Sequence, residues 1–122
     1  MAYTDYAGKN ILQAFGKVKS KVYATVVPGD LLTYDSANFG WKLAAQGSSL
    51  AAQMVACSPG VSGDEIDIAA ALEFDLPPTE SSGVFSDKNM CDAADVGKPL
   101  YLAAAGKAST TAGATMSQVV GS

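Results

Sequence analysis

Three carboxylates that stand close together in the sequence are the first candidates for chemistry. Asp64, Glu65 and Asp67 are of the residue types that bind calcium or act as a general acid and base. Neighbouring residues of a strand point to opposite faces, so Asp64 and Glu65 are poorly placed to share one ion. The ligand spacing of an EF-hand is also absent. We therefore predict a solvated acidic strand face, with no metal ion and no other cofactor.

The residues that are missing exclude several kinds of site. The chain of 122 residues has no histidine, so a serine or cysteine nucleophile would lack its usual base, and the commonest metal ligand is lost. Paired carboxylates for glycoside cleavage stay open among the twelve acidic residues, but no pair is singled out, and so small a chain rarely builds the cleft. We predict that the protein is not an enzyme.

The net charge of −4 is unevenly distributed along the chain. All eight cations are lysines, and half of them fall within the first 21 residues. An acidic chain without arginine argues against nucleic acid as a partner, because phosphate binding needs clustered cations. A basic segment on an acidic body suits docking onto an acidic surface or a neighbouring subunit, although a solvated tail explains it equally well. The predicted partner-binding residues are Lys9, Ile11, Phe15, Lys17, Lys19 and Lys21.

These lysines belong to a predicted N-terminal arm, residues 1–21, that precedes a domain of residues 22–122. Ile11 and Phe15 fall near helical spacing, but Gly8 and Gly16 are costly inside a helix, so a short helix and an extended arm both remain open. The sequence shows no targeting segment and no apolar run long enough to span a bilayer, so we expect no membrane partner.

Two similar hairpins are predicted for the domain. Residues 21–27 read as a strand, and Pro28-Gly29 then predicts a turn, because proline lacks a backbone donor and glycine accepts positive φ. Residues 31–34 and 41–43 form the first hairpin, joined by turn-forming residues. A weaker copy of this pattern spans residues 96–108.

The clearest pattern in the chain is an alternation over residues 65–75. It predicts one strand half buried against the core, and a helix is disfavoured because the apolar residues scatter around a helical wheel. The segment that follows, residues 79–95, is polar and turn-rich, with room for a single helical turn. The strand face predicted to be buried consists of Ile66, Ile68, Ala70, Leu72 and Phe74.

Aromatic and sulfur-containing side chains offer weaker signals. The aromatic residues Tyr34, Phe39, Trp41 and Tyr101 could form a ligand-binding platform, but in a small barrel such side chains more often belong to the core, where we expect them. Cys57 and Cys91 are predicted to be reduced and buried, and a disulfide between them is the alternative.

Six short stretches give a further signal through their order and spacing: VPGDLL (27–32), GVSGDEIDIA (60–69), LEFDLP (72–77), VGKPLYLA (96–103), GKAS (106–109) and VVG (119–121). In this order and spacing the chain resembles the head decoration, or cement, proteins of tailed bacteriophages. The resemblance implies a small β-barrel or β-tulip with little helix and no catalytic residues. It also implies a place on the outside of the capsid, at contacts between major capsid proteins. The chain departs from the family in its basic N-terminal stretch, and in ending after residues 116–120 where a further strand would follow.

We therefore predict an all-β, single-domain β-barrel or β-tulip built on hairpins, with an N-terminal arm. Its expected function is structural: it stabilises an assembled phage shell from the outside of the virion, after synthesis in the host cytoplasm. The expected partners are the major capsid protein and further copies of the chain, as a homotrimer first and a dimer second, because the last strand leaves a sheet edge open. The alternative is a small barrel that binds a ligand or carbohydrate, such as a phage adhesion or tail component.

Overall fold

The computed structural model describes residues 3–4, 10–75, 97–103 and 106–121, and these residues fold into three antiparallel β-sheets. Within this part of the chain, a 3-10 turn at Gln46–Ser48 is the single helical element, so the all-β prediction is confirmed. The strands are β1 (Tyr3–Thr4), β2 (Asn10–Phe15), β3 (Val18–Lys21), β4 (Leu31–Asp35), β5 (Gly40–Leu43), β6 (Met54–Ala56), β7 (Glu65–Ala69), β8 (Ala71–Asp75), β9 (Leu100–Leu102), β10 (Ala108–Ser109) and β11 (Val119–Gly121).

The largest sheet has five strands in the order β3-β7-β6-β4-β5, and its two edge strands approach each other. Val22, directly after β3, forms a parallel bridge with Trp41 on β5, and the Tyr23 N–H donates to the Trp41 carbonyl oxygen (2.7 Å). This single bridge is not a continuous ladder, so the described part of the sheet is curled but is not a closed barrel. The buried residues of the first hydrophobic core are Val22, Val26, Leu32, Ala56, Ile66 and Ile68.

A kinked two-stranded ribbon leads from this sheet into the second one, whose order is β1-β2-β8. β3 pairs with β7 and β2 pairs with β8. The register is the same directly on both sides of the kink and shifts by one residue farther along β2, between Ile11 and Gln13. At the kink the Ala70 N–H donates to the Phe15 carbonyl oxygen (2.8 Å), and Gly16 has φ +66°. Glycine suits this position because a Cβ would strain the backbone at positive φ.

The kink corrects the prediction of one uninterrupted strand over residues 65–75. Ile66 and Ile68 are buried as predicted, but Ala70 is exposed at the bend, and the side chain of Phe74 lies outside those described. Three successive alanines give the strand no bulky side chain that would hold one face across the bend. Beyond the bend, Leu72 packs on the opposite face of the five-stranded sheet, against a second core of Val55, Cys57 and Ala69.

The third sheet has the order β10-β9-β11 and contains the second predicted hairpin. The turn of this hairpin is hydrogen-bonded to the five-stranded sheet. The Leu31 N–H donates to the Gly106 carbonyl oxygen (2.9 Å), and the Gly106 N–H donates to the Ala44 carbonyl oxygen (2.7 Å). Beside these bonds, Lys107 Nζ lies 2.6 Å from Oδ1 of the buried Asp30. The antiparallel pairing of β4 with β5 and of β9 with β10 confirms both predicted hairpins.

Two local predictions at the start of the chain need correction. The helical alternative is wrong for residues 10–15, because β2 is paired with β1 on one side and β8 on the other, which outweighs a weak helical spacing. The predicted strand over residues 21–27 ends at Lys21, and Val22 and Val26 form only isolated bridges beyond it. The division at residue 21 between arm and domain stays a prediction, and the predicted turn-rich segment at 79–95 lies outside the described residues.

Candidate functional site

The β4–β5 hairpin ends in an exposed aromatic turn. The two strands pair from Leu32 opposite Leu43 to Asp35 opposite Gly40, and the chain reverses between them. Phe39, the last residue of the turn, is 79% exposed and has φ +57°. Positive φ is strained for a residue that carries a Cβ. The phenyl ring of Phe39 therefore adds little buried apolar surface to the isolated fold, while the backbone of Phe39 adopts an unfavourable conformation.

The carboxylate of Asp35 organises this turn. Its Oδ1 accepts the Ala37 backbone N–H (3.1 Å), and its Oδ2 accepts the side-chain amide N–H of Asn38 (2.8 Å). The hydrogen bond from the Asn38 side chain is the largest cause that lowers the pKa of Asp35 below its ordinary value. Because the carboxylate is ionised at neutral pH, both bonds are available to hold the turn in one shape.

Two aromatic rings lie behind the turn. Tyr34 and Trp41 face each other across the hairpin, with ring centroids 5.3 Å apart and ring planes at 77°, which is an edge-to-face arrangement. The Trp41 indole N–H donates to Ser20 Oγ (3.1 Å) and so joins the hairpin to β3. Trp41 is half-buried against the first core, whereas Tyr34 is 45% exposed.

The parallel bridge between Val22 and Trp41 determines which residues share this end of the sheet. Because the two segments run in the same direction, the residues before Val22 lie toward the turn that precedes Trp41. Val18, at the start of β3, therefore lies at the same end as the turn, and it is 52% exposed. Gly40 permits the close approach, since a Cβ there would meet the Lys21 carbonyl oxygen at 2.8 Å. We call Val18, Tyr34, Phe39 and Trp41 the aromatic end.

The exposure of Tyr34 and Phe39 contradicts their predicted place in the core. Tyr101 and Trp41 are half-buried, so no aromatic residue of the predicted group is fully enclosed. The available signal was local: Asp35 and Asn38 are turn formers, and a residue directly after them leaves the strand before it can face the core. Sequence reasoning considered these aromatic residues as a surface platform but wrongly favoured the core for them.

The predicted lysine site is exposed, but it includes its own counter-charges. Lys19 stands opposite Asp67 and Lys21 stands opposite Glu65 across the ladder from β3 to β7. Lys19 Nζ lies 3.0 Å from Asp67 Oδ1, and Lys17 Nζ lies 3.7 Å from Asp67 Oδ2. The hydrogen bond from Lys19 is the largest cause that lowers the pKa of Asp67. The local excess of positive charge is therefore smaller than the sequence suggested.

The remaining predicted site residues are placed less completely. Lys17, Lys19 and Lys21 come together at and beside β3, and Phe15 is exposed directly before the kink. Ile11 lies in β2, but its side chain is outside those described, and Lys9 is outside the described residues. Of the six predicted residues, the structure thus brings the three alternating lysines onto one surface.

The three acidic residues Asp64, Glu65 and Asp67 do not form one site in the structure. Asp64 Oδ2 accepts the Val61 backbone N–H (2.9 Å) within a turn, Asp67 pairs with lysines, and Glu65 is exposed. Among the residues that the structure describes, no group of three or more acidic or cysteine side chains is arranged to hold a metal ion.

A cleft of about 500 Å³ lies between the third sheet and strands β6 and β8. Glu73 is the one charged side chain among its described lining residues, and most of the others are aliphatic or small. A single carboxylate does not provide the acid and base pair of a glycosidase.

In the described ranges, no helix has the length and apolar character needed to cross a membrane.

Of the two cysteines, the structure describes Cys57. Cys57 is buried in the second core, and this burial is the largest cause that raises the pKa of its thiol. Cys91 lies outside the described residues, so the choice between reduced cysteines and a disulfide stays open to experiment.

Comparison of the chain with protein-family models, with curated proteins and with solved structures finds no match. The function therefore has to be argued from the residues themselves. The fold class alone does not decide it, because one fold carries many functions.

Proposed function

We propose that the protein is a structural component of a tailed-bacteriophage virion that binds the outside of the assembled capsid, at contacts between major capsid proteins, and stabilises the shell. The observation that carries the proposal is a small all-β body with several large apolar side chains exposed. Such side chains suit contacts with another protein. The order of motifs that resembles the decoration proteins supplies the kind of partner. The exposed large apolar residues on which the proposal rests are Phe15, Val18, Tyr34, Phe39 and Val119.

The proposed mechanism is surface burial across the joints between shell subunits. A protein that binds only the assembled state stabilises that state by mass action, so many copies with modest interfaces together resist expansion by the packaged genome. The predicted lysine site would add electrostatic steering toward acidic parts of the shell. Neither nucleic acid, nor a membrane, nor a cofactor has a part in this mechanism.

In this proposal the body is a small β-barrel or β-tulip with an N-terminal arm of residues 1–21. Two contacts support closure of the five-stranded sheet: the bridge between Val22 and Trp41, and the hydrogen bond from Trp41 to Ser20. The N-terminal arm is part of the proposal. Its strands β2 and β3 are paired with β8 and β7, so the proposed arm is attached to the body along these two strands.

We further propose that the copies associate on the outer surface of the virion, as homotrimers first and dimers second. The support is β11, which pairs with β9 and is one of the two edge strands of its sheet within the described residues. Unpaired groups at a sheet edge can pair with another chain. This arrangement also follows the expectation that shell proteins form closed symmetric oligomers.

A carbohydrate-binding module, such as a phage adhesion or tail component, remains the second candidate. The half-buried Trp41 beside the exposed Tyr34 favours it, because sugars stack on such rings. The rings, however, stand at 77° to each other and do not form one flat platform. We therefore favour a protein partner.

The test is direct binding to shells assembled from the major capsid protein that the same genome encodes. We expect saturable co-sedimentation with assembled shells, no binding to unassembled subunits, and a higher melting temperature of the decorated shells. A cryo-microscopy map of decorated shells locates the copies and counts them. A chain that does not sediment with shells but titrates with sugars would replace the proposal by the second candidate.

A further inference from the structure

We infer that the aromatic end is the surface that contacts the shell, with Phe39 inserted into an apolar recess of the major capsid protein. The inference rests on the proposed function and adds the residues and the chemistry of the contact. Its starting point is that Phe39 is the most exposed large apolar side chain described and lies in the turn of the β4–β5 hairpin.

The chemistry of the tip fits a protein recess better than a sugar. The phenyl ring has no polar group, and each carboxylate oxygen of Asp35 already accepts an N–H within the turn, from Ala37 or from Asn38. Sugar sites need polar groups that converge on the ligand in a concave pocket. At the aromatic end an apolar ring is instead exposed on a turn, which suits insertion into a recess of a protein partner.

The exposed area is too small for two aromatic ends to form a stable contact with each other alone. With about 150–250 Å² for each aromatic side chain, the exposed parts of Val18, Tyr34 and Phe39 sum to roughly 300 Å². Two such ends in contact would bury only about 600 Å² in total, whereas stable protein interfaces bury about 1,200–2,000 Å². The aromatic end is therefore an anchor within a wider contact surface, such as the joint between shell subunits.

The end is also held in place before binding. Asp35 holds the turn, Trp41 is bonded to Ser20, and the Tyr34 backbone N–H donates to Gln53 Oε1 (2.8 Å). A preorganised anchor loses little conformational entropy when it binds. Aromatic side chains of this kind are frequent among the few residues that dominate an interface.

The most informative variant is Phe39→Gly, because glycine accepts positive φ and removes the ring without straining the turn. We expect its folded state to be at least as stable as that of the wild type, while its affinity for shells falls by about ten- to a hundredfold. Faster dissociation should account for most of the loss. Phe39→Leu, which keeps an apolar side chain, should retain most of the affinity.

Val61→Thr is the matched control. Val61 is also an exposed apolar residue in a turn, at 55% exposure. Its turn precedes β7, which begins opposite Lys21 and runs toward Val18, so Val61 lies at the other end of the sheet. Its affinity for shells should stay within about twofold of the wild type, the range of a neutral interface or surface change.

Affinities are measured by sedimentation with shells and by surface-immobilised shells, and folding is verified by urea unfolding. If the wild type binds shells and Phe39→Gly binds equally well, the inference is wrong while the proposed function stands. If the wild type does not bind shells, the proposed function and the inference both fail. If Phe39→Gly abolishes self-association of the free chain and leaves shell binding unchanged, the occupant is a second copy and the inference is overturned.

Discussion

Removal of either partner of the ion pair between Asp30 and Lys107 should destabilise the protein, by unequal amounts. The Asp30 side chain is 4% exposed and that of Lys107 is 27% exposed, with 2.6 Å between Oδ1 and Nζ. Asp30 Oδ2 also accepts the Val27 backbone N–H (3.0 Å). The pair joins the turn before β4 to the second hairpin, so it is a tertiary contact between two sheets.

The expected magnitudes follow from what each substitution leaves buried. In Lys107→Met the buried carboxylate loses its cation, which costs about 3–5 kcal/mol for a buried pair. The partial exposure of Lys107 admits water to the site, so we expect a loss near the lower end, about 3 kcal/mol. In Asp30→Asn the new side chain still accepts the Val27 N–H and Lys107 can turn toward solvent. The loss is then that of one charged hydrogen bond, about 1.5–3 kcal/mol, and we expect about 2 kcal/mol.

The assay is equilibrium urea unfolding followed by the fluorescence of Trp41, the single tryptophan of the chain. The double variant Asp30→Asn with Lys107→Met should be clearly more stable than the sum of the two losses predicts, because the residues are coupled. If Asp30→Asn costs more than Lys107→Met, the argument from unequal exposure is wrong. Losses within about 0.5 kcal/mol for both variants would mean that the pair behaves as a solvent-exposed one.

Three further predictions concern the core, the pH dependence and the lysines. Ile68→Ala should lower the free energy of unfolding by about 2–5 kcal/mol, because Ile68 is fully buried in the first core. Lys19 holds the folded pKa of Asp67 below its ordinary value of 3.8. The ionised group therefore adds stability above that pH and loses it as the pH falls through the lower folded value. Asp67→Asn should flatten the fall of the urea midpoint below about pH 4. Glutamine at all four N-terminal lysines should slow association with shells at low salt and leave dissociation nearly unchanged. These positions are Lys9, Lys17, Lys19 and Lys21.

Each of these predictions has a contrary result. Unchanged stability of Ile68→Ala would remove β7 from the core, and exposed Val61→Ala is its control, with less than about 0.5 kcal/mol expected. An identical pH profile for Asp67→Asn would mean that the pairing with Lys19 contributes nothing in solution. A lysine variant that associates at the wild-type rate in low salt would leave the lysines as a solvated surface without a docking role.

The local turn chemistry of this chain was predictable, whereas the tertiary kink was not. The Pro28-Gly29 turn and the two hairpins follow from residues that adopt few backbone conformations, and their pairing is confirmed. The break at Ala70 depends on Gly16, which is distant in sequence and lies directly across the ribbon. The alternation over residues 65–75 therefore looked like one strand, because the three alanines at the bend permit a kink but do not by themselves predict one.

The exposure of the aromatic end was also beyond what alternation alone could predict. Alternation places Tyr34 on the same face of β4 as the buried Leu32, and its neighbour Trp41 packs against that core, so the predicted face is correct. The core, however, ends before the hairpin does, and Tyr34 lies where the sheet extends past it. Alternation reports the face of a strand but not the position along it, and the turn held by Asp35 carries Phe39 farther still. Apolar residues at such a position are only partly buried by their own chain. This incomplete burial is the physical reason for our proposal that a partner covers them.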